Sequence, residues 1–192
     1  MSVTLRPMAA EDRDRVLAWR NAPHVAVHMY NEGEITPEGH ARWFAATLAA
    51  VDRRYWIIAL DEAPVGVAAL TYIDAGSRRA EWAYYLGEPS TRGKGVGSAV
   101  EYMVIEHVFG PLGLNKLACE VLVRNEAVWK LHQSFGFTRE ALYRDHVWKA
   151  GGFEDVVGLA LLARDWPAAR VAADAKLRAK GYDPAALAIR DS

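Results

Sequence analysis

The chain has 192 residues, a formal net charge of −1 and 24% charged residues. This length suits one domain with a sizeable core. The near-neutral charge argues against nucleic acid or a membrane surface as a partner. Neither a signal peptide nor an apolar run of membrane length is visible, so we expect a cytoplasmic location. Cys119 is the only cysteine, which excludes an intrachain disulfide and a cysteine-based zinc site, and we expect no metal.

The first part of the chain predicts one strand and two helices. Residues 3–6 suit a short strand ended by Pro7, and residues 10–20 suit a helix that stops before Pro23. Thr36 and Pro37 supply a capping hydroxyl followed by proline at the first helical position, so a second helix is predicted to run to about residue 50.

Two features of this part point equally to structure or to ligand binding. Residues 19–31 form a polar and aromatic stretch that is either a ligand-contacting loop or an irregular connector. His40, near the start of the second helix, either faces a ligand or is an ordinary surface or capping group.

Three strands at residues 55–60, 65–73 and 79–86 follow, the first two joined by a turn at 61–64, and they predict an antiparallel meander. After a glycine-rich loop come a helix, a strand at 116–123, a short helix capped by Asn125, and two strands joined at residues 151–152. Residues 1–166 are predicted to form the domain. Residues 167–192 are expected to be a helical or disordered appendage.

The loop carries Gly93, Gly95 and Gly97 at every second position, and Arg92 and Lys94 lie between and before them. Backbone amides without side chains at a helix N-terminus can receive an anion. The Lys-Ser or Lys-Thr pair of a Walker A loop is missing, and so is the third glycine of a dinucleotide fingerprint. The spacing R-x-x-G-x-G does fit, although a glycine-rich helix start without a ligand stays an alternative.

The segment from Asn125 to Phe137, N-E-A-V-W-K-L-H-Q-S-F-G-F, is similar to the pattern N-x-x-A-x-x-L-Y-x-x-x-G-F. Together with the loop before it, this segment resembles the GNAT superfamily of N-acetyltransferases. The resemblance implies an α/β (α+β) fold with a mixed central sheet, an N-terminal antiparallel meander, splayed central strands and helices on both faces. It also implies acetyl-CoA as cosubstrate and a direct attack by an amine on the thioester, which the enzyme promotes mainly by positioning the reactants and polarising the carbonyl. The coenzyme-binding residues that it implies are Tyr85, Leu86, Arg92, Gly93, Lys94, Gly95, Val96, Gly97, Ser98, Asn125 and Lys130.

The sequence departs from the family at His132, where a tyrosine often protonates the leaving thiolate. A histidine titrates near neutral pH, so His132 either supplies that proton or only packs. Glu81, on the strand before the loop, is the best candidate for a base, with an exposed surface acid as the alternative.

Several short segments between about residue 5 and residue 162 carry a narrower resemblance: 19–21, 29–31, 34–36, His40, 70–74 and 143–146. They are similar to the N-acetyltransferases of pseudaminic acid biosynthesis, which serves flagellin glycosylation. It implies a UDP-linked acceptor, UDP-4-amino-4,6-dideoxy-N-acetyl-β-L-altrosamine, acetylated at its 4-amino group. The acceptor-side residues that it implies are Arg20, Tyr30, His40, Thr71 and Trp82. The alternatives are a ribosomal-protein N-terminal or polyamine acetyltransferase and a non-catalytic acyl-CoA sensor. A homodimer is one expected assembly.

Overall fold

The computed structural model describes residues 1–189, which form a seven-stranded mixed sheet with helices on both faces. The strands are β1 (Val3–Pro7), β2 (Arg54–Leu60), β3 (Ala63–Asp74), β4 (Arg79–Leu86), β5 (Lys116–Leu122), β6 (Thr138–Lys149) and β7 (Gly152–Leu162). The helices are α1 (Arg13–Asn21), α2 (Pro23–Ala26), α3 (Pro37–Ala49), α4 (Val96–Phe109), α5 (Glu126–Gln133) and α6 (Trp166–Ala179). The predicted fold class is therefore confirmed. The last three residues of the predicted appendage lie outside the described residues.

The strand order is β1-β2-β3-β4-β5-β7-β6, and among these strands of residues 1–189 only β4 and β5 pair in parallel. They pair only from Arg79–Lys116 to Glu81–Ala118. Beyond Glu81 the two strands separate, while β4 stays paired to β3 as far as Leu86. The centre of the sheet thus opens into a V whose inner edges carry backbone groups free of ladder bonds.

Each face of the sheet is covered because apolar residues of β2 alternate between two clusters. Ile57 packs with Val16 of α1 and Phe44 of α3. Trp56 and Ile58 belong to the larger cluster on the other face, which includes most of α4. α4 is apolar nearly all round, as expected for a helix inside a core. Helices therefore cover the sheet on both faces.

The predicted start of α3 is present, because Thr36 Oγ1 accepts a hydrogen bond from the Gly39 amide at 3.1 Å. The predicted turn at 61–64 is too long. Only Asp61 and Glu62 form it, both with positive φ (48° and 70°), and Pro64 already pairs with Ala59 in the ladder. Positive φ at both central residues matches the right-handed twist of the strands that this turn joins.

α6 packs against α4 as part of the larger core cluster. Ala173 and Leu177 are fully buried there. The indole Nε1 of Trp166 donates to Glu106 Oε1 of α4 at 2.6 Å. The helix at the end of the chain is therefore built into the same core as the sheet. Within residues 1–189, no helix is long and apolar enough to cross a lipid bilayer.

Candidate active site

A cavity of about 870 Å³ lies in the V between the diverging ends of β4 and β5. One end is formed by the glycine loop and the start of α4, together with the start of α5. The other end is formed by the connection around α2 and by the outward side chains of β3, β4 and β5. The cavity therefore extends from the glycine loop to the connection around α2, across the point where the strands part.

The glycine loop is shaped to receive an anion. Gly95 is the N-cap of α4 with a φ of 74°, and the Ala99 amide is the first to find a helical acceptor, the Gly95 carbonyl at 3.1 Å. The amides of the first turn, before Ala99, have no acceptor within the helix and point out of its N-terminus. The helix dipole adds positive potential at that end. A Cβ at Gly97 would lie 2.7 Å from the Tyr84 hydroxyl, so only glycine fits there without displacing the loop or Tyr84.

Most of the predicted coenzyme-binding residues line this cavity. They are Tyr85, Leu86, Arg92, Gly93, Gly95, Val96, Gly97, Ser98 and Asn125. Asn125 occupies the N-cap position of α5 but makes no capping hydrogen bond with its side chain, contrary to prediction. Its amide is therefore available to the cavity.

Lys94 and Lys130 were predicted for the same site and do not line the cavity. Lys130 is exposed and pairs with Glu126 Oε1, one turn earlier on α5, at 2.7 Å. That i,i+4 pairing holds the ammonium on the outer surface of the helix. The contact that Lys94 makes is through its backbone: its carbonyl accepts a hydrogen bond from the Tyr182 hydroxyl at 2.7 Å.

His132 and Glu101 form a buried pair at the coenzyme side of the V. The Nδ1 of His132 lies 2.9 Å from Glu101 Oε1, and the two side chains are 3% and 0% exposed. Burial raises the pKa of Glu101, and the neighbouring His132 opposes that rise. This contact fixes the imidazole ring and leaves Nε2 for the cavity, which His132 lines. Trp82 supports the ring edge-on at a centroid distance of 5.2 Å.

Two carboxylates lie on the opposite side of the V. Glu81 of β4 and Glu120 of β5 both line the cavity. Burial, and then the charge of Glu120, raise the pKa of Glu81. Tyr30 donates its hydroxyl hydrogen bond to Glu120 Oε2 at 3.0 Å, which brings the connection after α2 to this point. The carboxylates of Glu81 and Glu120 can bind a protonated amine and accept a proton from it.

Arg20 adds a positive group to the same end. Its Nη2 donates to Asn31 Oδ1 at 3.2 Å, while its Nε is buried without a hydrogen-bond partner in residues 1–189. Tyr85 also lines the cavity, and its hydroxyl is buried without a hydrogen-bond partner among the same residues. Buried donors without acceptors are unusual in folded proteins. The two indicate a place for an acceptor-rich or anionic group.

Of the other residues predicted to bind the acceptor, three line the cavity and one does not. Tyr30, Thr71 and Trp82 line it, but Trp82 contacts His132, on the coenzyme side. His40 does not line it. Its Nε2 lies 2.9 Å from the Arg13 carbonyl, and its ring packs against Phe44, so it joins α3 to α1. The ring nitrogen is already occupied by that backbone contact.

Three residues of interest were not predicted: Glu101, Glu120 and Lys180. Glu101 could have been noticed as an acid between apolar residues on the core-facing part of α4, where an unpaired charge is costly. Glu120 could have been noticed from the strand alternation, because its neighbours Cys119 and Val121 face the core. Lys180 lines the cavity from beyond α6, and no local pattern marks it.

Cys119 lines the cavity but is a poor nucleophile. Burial raises the pKa of its thiol well above the ordinary value, so the thiol stays protonated. The site therefore favours direct attack by a bound amine over transfer through a cysteine. Within the described part of the chain, no three His, Cys, Asp or Glu side chains are grouped so that they could hold a metal ion.

Comparison with known proteins agrees with this geometry. Residues 2–138 match the family model of the acetyltransferase (GNAT) domain. The chain is 31% identical over 170 residues to the uncharacterized N-acetyltransferase p20 of Bacillus licheniformis, covering 85% of this chain and 94% of that one. It is 27% identical over 107 residues to the probable N-acetyltransferase YjcK of Bacillus subtilis (strain 168), covering 56% and 59%.

Among solved structures, spermidine N-acetyltransferase from Vibrio cholerae in complex with CoA and spermine superposes with a TM-score of 0.80 at 19% identity. The superposition covers 86% of this chain and 98% of that chain. At this identity the likeness concerns the fold. The family model and the 31% identical relative show more than a shared fold. The chain belongs to the GNAT family of N-acetyltransferases.

Proposed function

We propose that the protein transfers the acetyl group of acetyl-CoA to a primary amine on a small acceptor that also carries an anionic group. The observation that carries this proposal is the arrangement at the acceptor end of the cavity. Glu81 and Glu120 offer negative charge to an amine, while Arg20 offers a partly unsatisfied guanidinium to an anion. A UDP-linked amino-dideoxy sugar combines both groups in one molecule.

Coenzyme A fits the other end. The loop amides after Gly93 and the Arg92 guanidinium suit its diphosphate, and the free edge of β4 at Tyr85 and Leu86 suits the amides of its pantetheine arm. Acetyl-CoA supplies the activated acetyl group when it is bound. The chain itself positions that group where β4 and β5 part.

The proton steps follow from the two sides of the V. Glu81, with a raised pKa and with Glu120 beside it, accepts the proton that the ammonium group loses before attack. His132, held by Glu101, donates a proton from Nε2 to the departing sulfur. The attacking nitrogen still carries one proton too many after attack, and it releases that proton to water as the amide forms. A thiol with an ordinary pKa of about 8.5 needs only modest help to leave, so a single histidine suffices.

Arg92→Ala tests the coenzyme end. We expect the KM for acetyl-CoA to rise about fivefold, because an exposed, charge-assisted phosphate contact is lost while the loop amides remain. Initial rates at saturating acceptor measure this change. Arg139→Ala, which removes an exposed arginine that stacks on Trp129 of α5, is the control. An unchanged KM in Arg92→Ala contradicts the assignment of the loop.

The finer proposal for the acceptor is UDP-4-amino-4,6-dideoxy-N-acetyl-β-L-altrosamine. Its diphosphate suits Arg20, and Tyr30 offers an aromatic face to uracil or to the sugar. Thr71 can hydrogen-bond a sugar hydroxyl. The narrower sequence resemblance to the pseudaminic acid enzymes supports the same acceptor.

Arg20→Ala tests the acceptor end. We expect the KM for the UDP-amino-sugar to rise about tenfold, since a hydrogen bond to a charged group contributes about 1.5–3 kcal/mol. The affinity for acetyl-CoA should not change. Arg13→Ala, which removes an exposed arginine paired with Asp14 on the same helix, is the control. If Arg20→Ala leaves both constants unchanged, the acceptor carries no anion at this point.

A polyamine is the second candidate, and the Glu81–Glu120 pair favours it, because a polyamine needs negative charge alone. Arg20 argues against it, since a cation beside a polycation is repulsive. The two acceptors therefore respond oppositely to Arg20→Ala. Polyamine turnover should improve in the variant, and UDP-amino-sugar turnover should decline.

A further inference from the structure

The chain after α6 turns back over the glycine loop. Gly181, with a φ of 83°, reverses the chain, and the Tyr182 amide then donates to the Leu177 carbonyl at 3.0 Å. Tyr182 is 4% exposed and belongs to the main core cluster, as does Leu187. Residues 180–187, called here the C-terminal strap, are thus attached to the core by two buried side chains, Tyr182 and Leu187.

The strap packs directly on the loop. The Tyr182 hydroxyl donates to the Lys94 carbonyl at 2.7 Å. A Cβ at Gly95 would lie 2.7 Å from Lys180 Cδ and 3.3 Å from the Tyr182 ring, so both side chains rest on the loop backbone. The absence of a side chain at position 95 is what allows this approach.

The lysine head group is free to meet a ligand. Lys180 is exposed, lines the same cavity as Arg92 and Gly93, and forms no ion pair with an acid in residues 1–189. Its stem is held against Gly95 while its charge stays in solvent. A cation placed beside helix-start amides adds to their attraction for a phosphate.

We propose that Lys180 is a ligand of the diphosphate of coenzyme A, so that the C-terminal strap completes the coenzyme site from outside the region that the family model matches. The inference rests on the proposed use of acetyl-CoA. The diphosphate is assigned because the stem of Lys180 lies over Gly95, the N-cap residue of α4, where the helix begins. Lys130, predicted for a coenzyme phosphate, is directed to Glu126 instead.

Calorimetric titration of the full chain with CoA and with 3′-dephospho-CoA tests this assignment. Lys180→Gln keeps most of the stem on Gly95 and removes the charge. We expect the Kd for both ligands to rise about tenfold, as for loss of a charge-assisted phosphate contact. The difference from wild type should shrink at about 0.5 M salt, where exposed charges are screened. Arg178→Gln, which removes an exposed cation from the same helix end off the cavity wall, should leave both Kd values unchanged.

Two results with Lys180→Gln overturn the proposal. An unchanged Kd for CoA means that Lys180 contacts no phosphate. A weaker Kd for CoA with an unchanged Kd for 3′-dephospho-CoA means that Lys180 pairs with the 3′-phosphate. Failure of wild type to bind either ligand is a different outcome, and it removes the proposed use of acetyl-CoA together with this inference.

Discussion

Replacing His132 by alanine is expected to lower kcat about 100-fold, at the low end of the range for general acid–base catalysis. The proposed acid is then lost, and the thiolate must take its proton from water. The same change should reduce the free energy of unfolding by about 3 kcal/mol, because Glu101 is left buried without its partner. Steady-state kinetics and urea unfolding measure the two effects.

His132→Gln separates the two effects. A glutamine amide can donate to Glu101 Oε1 but does not titrate, so stability should largely return while kcat stays low. A wild-type kcat and pH–rate profile in His132→Gln would show that the pair only stabilises the fold.

Gly97→Val should weaken binding of CoA about 100-fold, because the added side chain must displace either Tyr84 or the amides that meet the diphosphate. Tyr84 cannot yield easily, since its ring is stacked on Trp82 at 5.5 Å. Overpacking at such a point costs about 1–3 kcal/mol of stability. Calorimetry with CoA and urea unfolding are the measurements.

Two further variants make this prediction specific. Tyr84→Phe removes the hydroxyl that a Cβ would meet at 2.7 Å, so Gly97→Val combined with Tyr84→Phe should bind CoA more tightly than Gly97→Val alone. Gly152→Val is the matched control, because a Cβ there meets nothing within 4 Å. If Gly97→Val binds CoA like wild type, the start of α4 does not hold the coenzyme.

The sequence was most informative where local chemistry alone decides the structure. Glycine spacing and the Asn125 segment located the loop and α5, and strand alternation located the meander. The cavity between β4 and β5 follows from these elements, because a parallel pair that separates leaves a gap at its centre.

What could not be predicted depends on contacts between distant parts of the chain. Glu101 and His132 are 31 residues apart, and Tyr30 and Glu120 are 90 apart. The position of His40 near the start of α3 is compatible with ligand binding, yet its ring contacts the Arg13 carbonyl of α1, 27 residues away. Lys180 reaches the loop only because α6 is built into the core and Gly181 reverses the chain.

Release of the CoA thiol from acetyl-CoA, followed with one amine at a time, tests the central claim most directly. The amines are the UDP-amino-sugar, spermidine and a basic peptide, each at equal concentration with the wild-type chain. We predict rapid release with the UDP-amino-sugar and little with the other two. Tight binding of acetyl-CoA with no release for any amine would contradict the account and indicate a non-catalytic acyl-CoA sensor.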